Sequence, residues 1–495
     1  MSTTKSILGT SIEIPGSSTM TRSIAQARTF FGIWVLVSLG SLAFLRAQTT
    51  TPPAVALSPG DNIQAEVTAA PAGTTFVLAA GLYRMQRVQP KNGDVFTGQG
   101  SVILNGSEIL SFQLDPAGSG LWAANAAVTA TFTGSCQKAY PLCGYPQDLF
   151  IDNVLQIPVN AAQGLKPGNW FFDRNNGIVY VPSNPNGHLV ELGAQKYAFA
   201  GSAGNVQISN LIVEKYCTPA QLGAIGADAL GTGWVVNKVE SRWNHGRGIS
   251  LGPGSQILNS FIHHNGQLGI SLIGANSEAI KNEISWNNYA GFSTGWEAGG
   301  SKFWATTNLT VQSNYVHDNN GPGLWTDFNN VGTLYDSNTV INNLGDGIKH
   351  EISYSAIIRN NIVKGNGKAP TVWLWNAQIM VQNSSNVQVY GNTVEVPVGG
   401  GNGIALINQN RGAGALGPWV AANNYVHGNT ITHLGDNGAS GLVDDTHGNT
   451  AVGNRFDSDH YILPHTGKTH WQWFTGKDWA GFQGVGEEVH GICCN

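Results

Sequence analysis

Charge is what this chain has least of. Lys, Arg, Asp and Glu make up 11% of its 495 residues, with a formal net charge of −5; an average globular protein carries roughly 25%. A basic face that holds nucleic acid is excluded. So are a charge-rich disordered chain and a coiled coil, both of which need Glu and Lys in bulk. Cysteine is scarce as well: Cys136, Cys143, Cys217, Cys493 and Cys494. There is no C-x-x-C, so a cysteine zinc site is not expected, and an odd number leaves at least one thiol unpaired or intermolecular. Cys136 and Cys143 share a Gly/Pro-rich loop and are placed to pair after export. For vicinal Cys493 and Cys494, a disulfide and two free thiols both stay open. No 3.6-residue apolar period runs for ten residues, which excludes helical repeats. Glycine is in excess, at 64 residues, without the G-X-Y period of collagen. Apolar residues, at 41%, supply a large core. A turn-rich, all-β protein is expected.

Residues 30–45 (FFGIWVLVSLGSLAFL) form an apolar run of 16 after Arg22 and Arg28. A membrane-spanning helix needs about 20. The layout is that of a secretory signal, with cleavage near Ala47 or Gln48. Residues 1–48 therefore read as a signal peptide, with Met20 as an alternative start and a retained anchor left open. The mature protein is expected to be secreted or periplasmic.

Most of the rest is organised by a repeat. A short apolar strand follows Gly248, Gly269, Gly291, Gly323, Gly347, Gly403 and Gly441, at spacings of 21, 22, 32, 24, 56 and 38 residues. A second strand ends near Asn259, Asn282, Asn314, Asn338, Asn361 and Asn392 with the same underlying period. A repeat of that length with β-branched strands and Asn/Gly turns signals a parallel β-helix, a solenoid whose coils share one core. The asparagines read as a stacked structural ladder that also tolerates left-handed turns. Residues 49–114 are expected to hold an N-terminal cap, with a helix at Ile63 to Ala69, and the first coils. Residues 115–200 lose the period and read as a small β insertion. Residues 201–460 are the coils, and 461–495 a tail that packs on or caps them.

The stretch from Ala203 to His460, with NHGRGISLGPG, SNYVHDNNGPGLWTDFNN and GDGIKHEISYSAIIRNNIV, resembles bacterial secreted right-handed parallel β-helix proteins. A β-helix split by a β-sandwich-like insertion is similar to the β-helical β-xylosidase family of glycoside hydrolases. In that family three carboxylates lie on consecutive coils, and Glu297, Asp327 and Glu351 fall at similar spacing. The resemblance implies Asp327 as nucleophile and Glu351 as acid/base.

Register leads to the same pair. With coils aligned on the opening Gly, the next residue is always apolar and faces the core. Alternation along a strand then points the second and fourth residues outward, which puts Asp327 and Glu351 in one outward slot on consecutive coils. Strands stacked ~4.7–4.9 Å apart match the ~5–5.5 Å carboxylate separation of a retaining glycosidase. Like charges so close are expected to raise one pKa. Glu297 and Lys302 lie in the loop that lengthens one coil and are expected to reach over Asp327. Trp296, Trp304 and Trp325 surround the same place and suit the C–H faces of sugars. Lys349 and His317 complete the expected substrate contacts. A polysaccharide or oligosaccharide partner follows, with no nucleic acid and no cofactor. Two other readings stand beside the hydrolase. One is a polysaccharide lyase or uronate epimerase, with Lys349 or a His as base and a bound calcium. The other is a non-catalytic glycan-binding surface protein.

Overall fold

The computed structural model describes residues 54–368, 373–446, 450–465 and 469–494. The leader at 1–48 lies outside them. Among the described residues the chain winds as a right-handed parallel β-helix with three strand faces. One coil, for example, runs through Gln256–Leu258, Phe261–His263 and Leu268–Ala275. The first two faces merge into one 24-stranded sheet, because the long early strand Val95–Asn105 pairs with Gln207–Ser209 of the first face and Ile212–Glu214 of the second; the third face is an eleven-stranded sheet. In the three-residue strands of the first two faces from Gln207 onward the middle side chain is fully buried, as at Ile257, Ile262, Val311 and Val340. That burial follows from two-residue alternation, with one side of each strand lining the solenoid interior. The helix Ile63–Ala69 starts at Asn62, whose side chain accepts from the Ala65 amide. Its Ile63 and Val67 join the core cluster that runs through the coils.

Two buried asparagine ladders hold the coils in register. One sits between the first and second faces (Asn282, Asn314, Asn338, Asn361, Asn392, Asn429) and the other between the second and third (Asn244, Asn265, Asn287, Asn319, Asn343, Asn366). Asn338 is typical. Its Nδ2 donates to Asn361 Oδ1 at 3.0 Å and to the Val311 carbonyl at 2.9 Å, while its Oδ1 accepts from the Asn314 amide at 3.0 Å and side chain at 2.9 Å. The left-handed turn conformation belongs to the residue before each rung, such as Lys281, Ser313, Ser337 and Asn360 (φ 56, 55, 58 and 56°). The rung and the left-handed turn, expected of one asparagine, thus fall to two adjacent residues. In the coil of Asn259 they separate visibly: Asn259 takes the left-handed position (φ 47°) and Ser260 takes the rung, donating its backbone amide to Asn282 Oδ1.

Two small sheets interrupt the coils between Asn105 and Gln207. One has five strands, the other four, beginning at Ser107–Ile109. Trp170, Phe172, Val179, Leu149, Val190 and Leu192 form their shared core. Cys136 and Cys143 are disulfide-bonded, as are Cys493 and Cys494, and Cys217 is buried and free. No helix among the described residues is long and apolar enough to cross a membrane.

The ladder carries a direct prediction. Asn338→Ala strands polar groups on both neighbouring rungs in a dry interior, at roughly 1–3 kcal/mol for each unsatisfied group. Chemical denaturation should show a loss of about 3 kcal/mol or more. Asn259→Gly, in an exposed left-handed turn, should stay within about 1 kcal/mol. Equal losses in the two variants would contradict the ladder's role.

Candidate functional site

The third sheet turns two columns of side chains outward. The first runs Ser250, Ser271, Lys302, Trp325, Lys349, Met380; the second runs Ile273, Trp304, Asp327, Glu351, Gln382, Ile407. Asp327 and Glu351 are Cα partners on adjacent parallel strands, Leu324–Asp327 and Ile348–Glu351. Two parts of the sequence alignment are corrected here. Gly291 does not open a third-face strand: Phe292 bridges Cys136 of the insertion, and the strand of that coil is Gly299–Thr307, which brings Lys302 and Trp304 into the outward slots. Gly441 pairs with Ala405, two positions away from its assumed slot, and the coil strand Ala377–Gln382 lies inside the 56-residue gap.

Each carboxylate of the pair meets a lysine. Lys302 Nζ lies 2.8 Å from Asp327 Oδ2, and Lys349 Nζ lies 2.8 Å from Glu351 Oε2. The two ammonium groups flank the Trp325 ring at 4.1 and 4.7 Å from its centroid, a cation–π arrangement on both sides. Trp325 Nε1 donates to Glu351 Oε2 at 3.1 Å. Arg411 Nη1 reaches Glu351 Oε1 at 3.0 Å. It arrives on the hairpin Ala413–Gly414/Gly417–Pro418, which Tyr354 and Asn329 tie down and where Trp419 packs on Phe328. Burial pushes the Glu351 carboxyl up, but Lys349 and Arg411 outweigh it and hold the group below the usual carboxylate range. Glu351 therefore does not rise beside its like-charged neighbour as expected, because cations intervene. Burial pulls Lys349 down, but Glu351 and Asp346 hold its ammonium above the ordinary lysine value. The carboxyl that does rise is Asp346, pushed by burial to about 6.

Asp327 opens onto a cleft of about 440 Å³ that Glu297, Lys302, Trp304, Arg247, Gln221 and Phe328 also line. Glu297 is buried and bonded on both oxygens: Arg247 Nε donates to Oε1 at 2.8 Å and Gln221 Nε2 to Oε2 at 3.1 Å. Its loop is tied to the insertion, where the Gln137 amide donates to the Gly291 carbonyl at 2.9 Å and the Ser293 amide to the Ser135 carbonyl at 2.8 Å. The Cys136–Cys143 disulfide closes that segment of the insertion.

Five expected residues thus converge: Asp327, Glu351, Glu297, Lys302 and Lys349. Trp304 lines the cleft and is 39% exposed. Three do not serve as expected. Trp325 is 2% exposed, its faces taken by the lysines, so it offers no sugar platform. Trp296 packs with Phe292, Cys143 and Ala298. His317 lies on the second face, bonded to Glu283 and Asp318 and stacked on Tyr315. His350 points into the core, between the Thr326 hydroxyl at 2.7 Å and the Tyr354 carbonyl at 2.6 Å. Sequence reasoning missed Arg247, Gln221, Asp346 and Arg411. Arg247 directly precedes a repeat Gly and was available to the register argument. Arg411 sits in a Gly-rich loop with no periodic signal.

Residues 225–394 match the family model described as right handed beta helix region. No curated protein matches the chain. Among solved structures the chain is similar to XylC in complex with xylose, at 15% identity over 83% of this chain and 84% of that one, with a TM-score of 0.67. It also matches the A-module of the mannuronan C-5 epimerase AlgE4 of Azotobacter vinelandii, at 15% identity over 83% and 93% of the two chains and a TM-score of 0.49. At these identities the likeness is one of fold.

Burial separates the carboxylates energetically. Arg247 and Glu297 side chains are 6% and 4% exposed, whereas Asp327 is 18% exposed. Removing one partner of a buried pair typically costs about 3–5 kcal/mol. Glu297→Ala should therefore lower stability by about 3 kcal/mol and Asp327→Ala by about 1 kcal/mol, measured by denaturant titration. The reverse order would contradict the assignment of Glu297 to a buried bracket.

Proposed function

We propose that the protein is a secreted carbohydrate-active enzyme, a retaining glycoside hydrolase that uses Asp327 and Glu351. The observation that carries this reading is the pairing of the two carboxylates as outward Cα partners on adjacent strands, beside a cleft. Neighbouring strands stand about 4.8 Å apart, close to the roughly 5–5.5 Å of retaining pairs and well short of the ~6.5–9.5 Å of inverting ones. The apolar run at 30–45 supports export. The shared fold with XylC, which holds xylose, makes xylosides the first substrates to try.

In the first step Asp327 attacks the anomeric carbon and forms a glycosyl ester, while protonated Glu351 gives its proton to the departing glycosidic oxygen. In the second, Glu351 takes a proton from water as that water attacks the same carbon. The sugar leaves with retained configuration and Asp327 is freed. Lys302 orients Asp327, and Glu297, fixed by Arg247 and Gln221, is placed to accept substrate hydroxyls in the cleft. In the unliganded protein Glu351 is held ionised by Lys349 and Arg411. Its acid role therefore requires the substrate to loosen the hold of Lys349 and to displace Arg411, whose side chain is 34% exposed. Lys349 is disfavoured as a lyase base: such a lysine needs a depressed pKa, and Lys349 is shifted the other way.

The test is kinetic. On 4-nitrophenyl β-xyloside, a good leaving group, Glu351→Ala should retain glycosylation and stall as the covalent intermediate. On xylobiose it should lose about 10²–10⁴-fold in kcat/KM. Asp327→Ala should be inactive on both, with azide restoring turnover and giving an inverted glycosyl azide. Equal losses on the two substrates for Glu351→Ala would contradict its acid role.

A further inference from the structure

The turns between the second and third faces contain a left-handed residue before each ladder rung. In three later coils this is Asp318, Asn342 and Gly365 (φ 52, 58 and 65°), residue types that accept the conformation. In three earlier coils it is Trp243, His264 and Trp286 (φ 56, 48 and 56°). A bulky side chain in left-handed backbone is a strained choice, and such choices concentrate at functional positions. Core packing does not account for Trp286, which is 52% exposed.

The three rings stack along the solenoid axis. Trp243 and His264 lie 4.7 Å apart between centroids, and His264 and Trp286 6.2 Å apart at an interplanar angle of 18°. Trp286 ends the stack. Beyond it the column falls to the short side chains of Asp318 and Asn342, leaving a step at a groove of about 480 Å³ that Trp286, Tyr140, Asp318, Asn342 and Leu344 line. Tyr140 is 45% exposed. Asn342 is exposed, and its side chain makes no hydrogen bond within the described residues. Asp318 is oriented by His317 at 2.8 Å. The groove lies where the chain enters the third sheet, whereas Asp327 and Glu351 end their strands on it.

We propose that this step is a second carbohydrate-binding site, separate from the cleft, which takes a pyranose ring of a polymeric glycan against the Trp286 indole. The flat apolar ring matches the C–H face of a sugar. The Asn342 amide and the Asp318 carboxylate stand where ring hydroxyls need partners. The site anchors polymer at one edge of the third sheet while the cleft works at the other. The inference rests on the reading that the protein acts on glycans.

Trp286→Asn tests it cleanly, because asparagine suits the left-handed slot and the variant should fold with a melting temperature equal to or above that of the parent. Depletion onto insoluble xylan, cellulose and pectate is measured in the Asp327→Ala background, so that catalysis does not consume the polymer. The expected result is retention of Asp327→Ala on at least one polymer and a tenfold or greater loss in Asp327→Ala/Trp286→Asn. In the otherwise unaltered enzyme, Trp286→Asn should leave kcat/KM on 4-nitrophenyl β-xyloside unchanged. Equal retention of the two Asp327→Ala proteins, or no retention of either, overturns the site. Trp286-dependent retention by a protein without glycosidase activity would sink the hydrolase reading and leave the site standing.

Discussion

Parallel stacking in fixed register is the constraint on which everything else in this protein depends. Each outward side chain has, as its neighbour along the axis, the residue in the same slot one coil away. A slip of one residue would turn core side chains outward. The asparagine ladders prevent that slip. Asn319 and Asn343 are joined at 2.8 Å, and Asp327 and Glu351 each follow their rung by eight residues. The pairing of the two carboxylates is thus set by an amide–amide hydrogen bond in the interior, a full strand away from them.

Stacking identical slots has an electrostatic consequence. It would bring two carboxylates together on adjacent strands, at a cost that partly buried surroundings amplify. The neighbouring column answers this with Lys302 and Lys349, and Trp325 separates the two ammonium groups. The result is a near-neutral lattice in which each charge has a partner. It also explains why Glu351 lies low, and why the acid role proposed for it needs the hold of Lys349 and Arg411 to be loosened. Under that proposal, the ion pairs that stabilise the site must be partly undone when substrate binds.

The fold was legible because a solenoid writes its period into the chain: glycines, asparagines and apolar triplets recur, and alternation within a strand assigns faces. The slots of Asp327, Glu351 and Lys349 followed from that rule alone. Where an insertion broke the count the rule failed. Phe292 was counted as a coil residue, and the true strand, eight residues further on, hid Lys302 and Trp304 in a slot that alignment had given to Ser293 and Gly295. The partners of Glu297 were out of reach for another reason. Arg247 and Gln221 meet it through folding at separations of 50 and 76 residues, and no local pattern encodes such a contact. Trp325 shows the limit of arguing from residue type: an aromatic among carboxylates suggests a sugar platform, yet its faces are filled by lysines.

The central claim is that Asp327 forms a covalent bond to the sugar. A 2-deoxy-2-fluoro-β-xyloside with an activated leaving group slows the second step and allows the ester to accumulate. After incubation and proteolysis, mass spectrometry should find one added fluoroxylosyl group on the peptide that contains Asp327, with none in Asp327→Ala. Turnover of ordinary xylosides with the label on another carboxylate, or with inverted product and no label, would contradict the account.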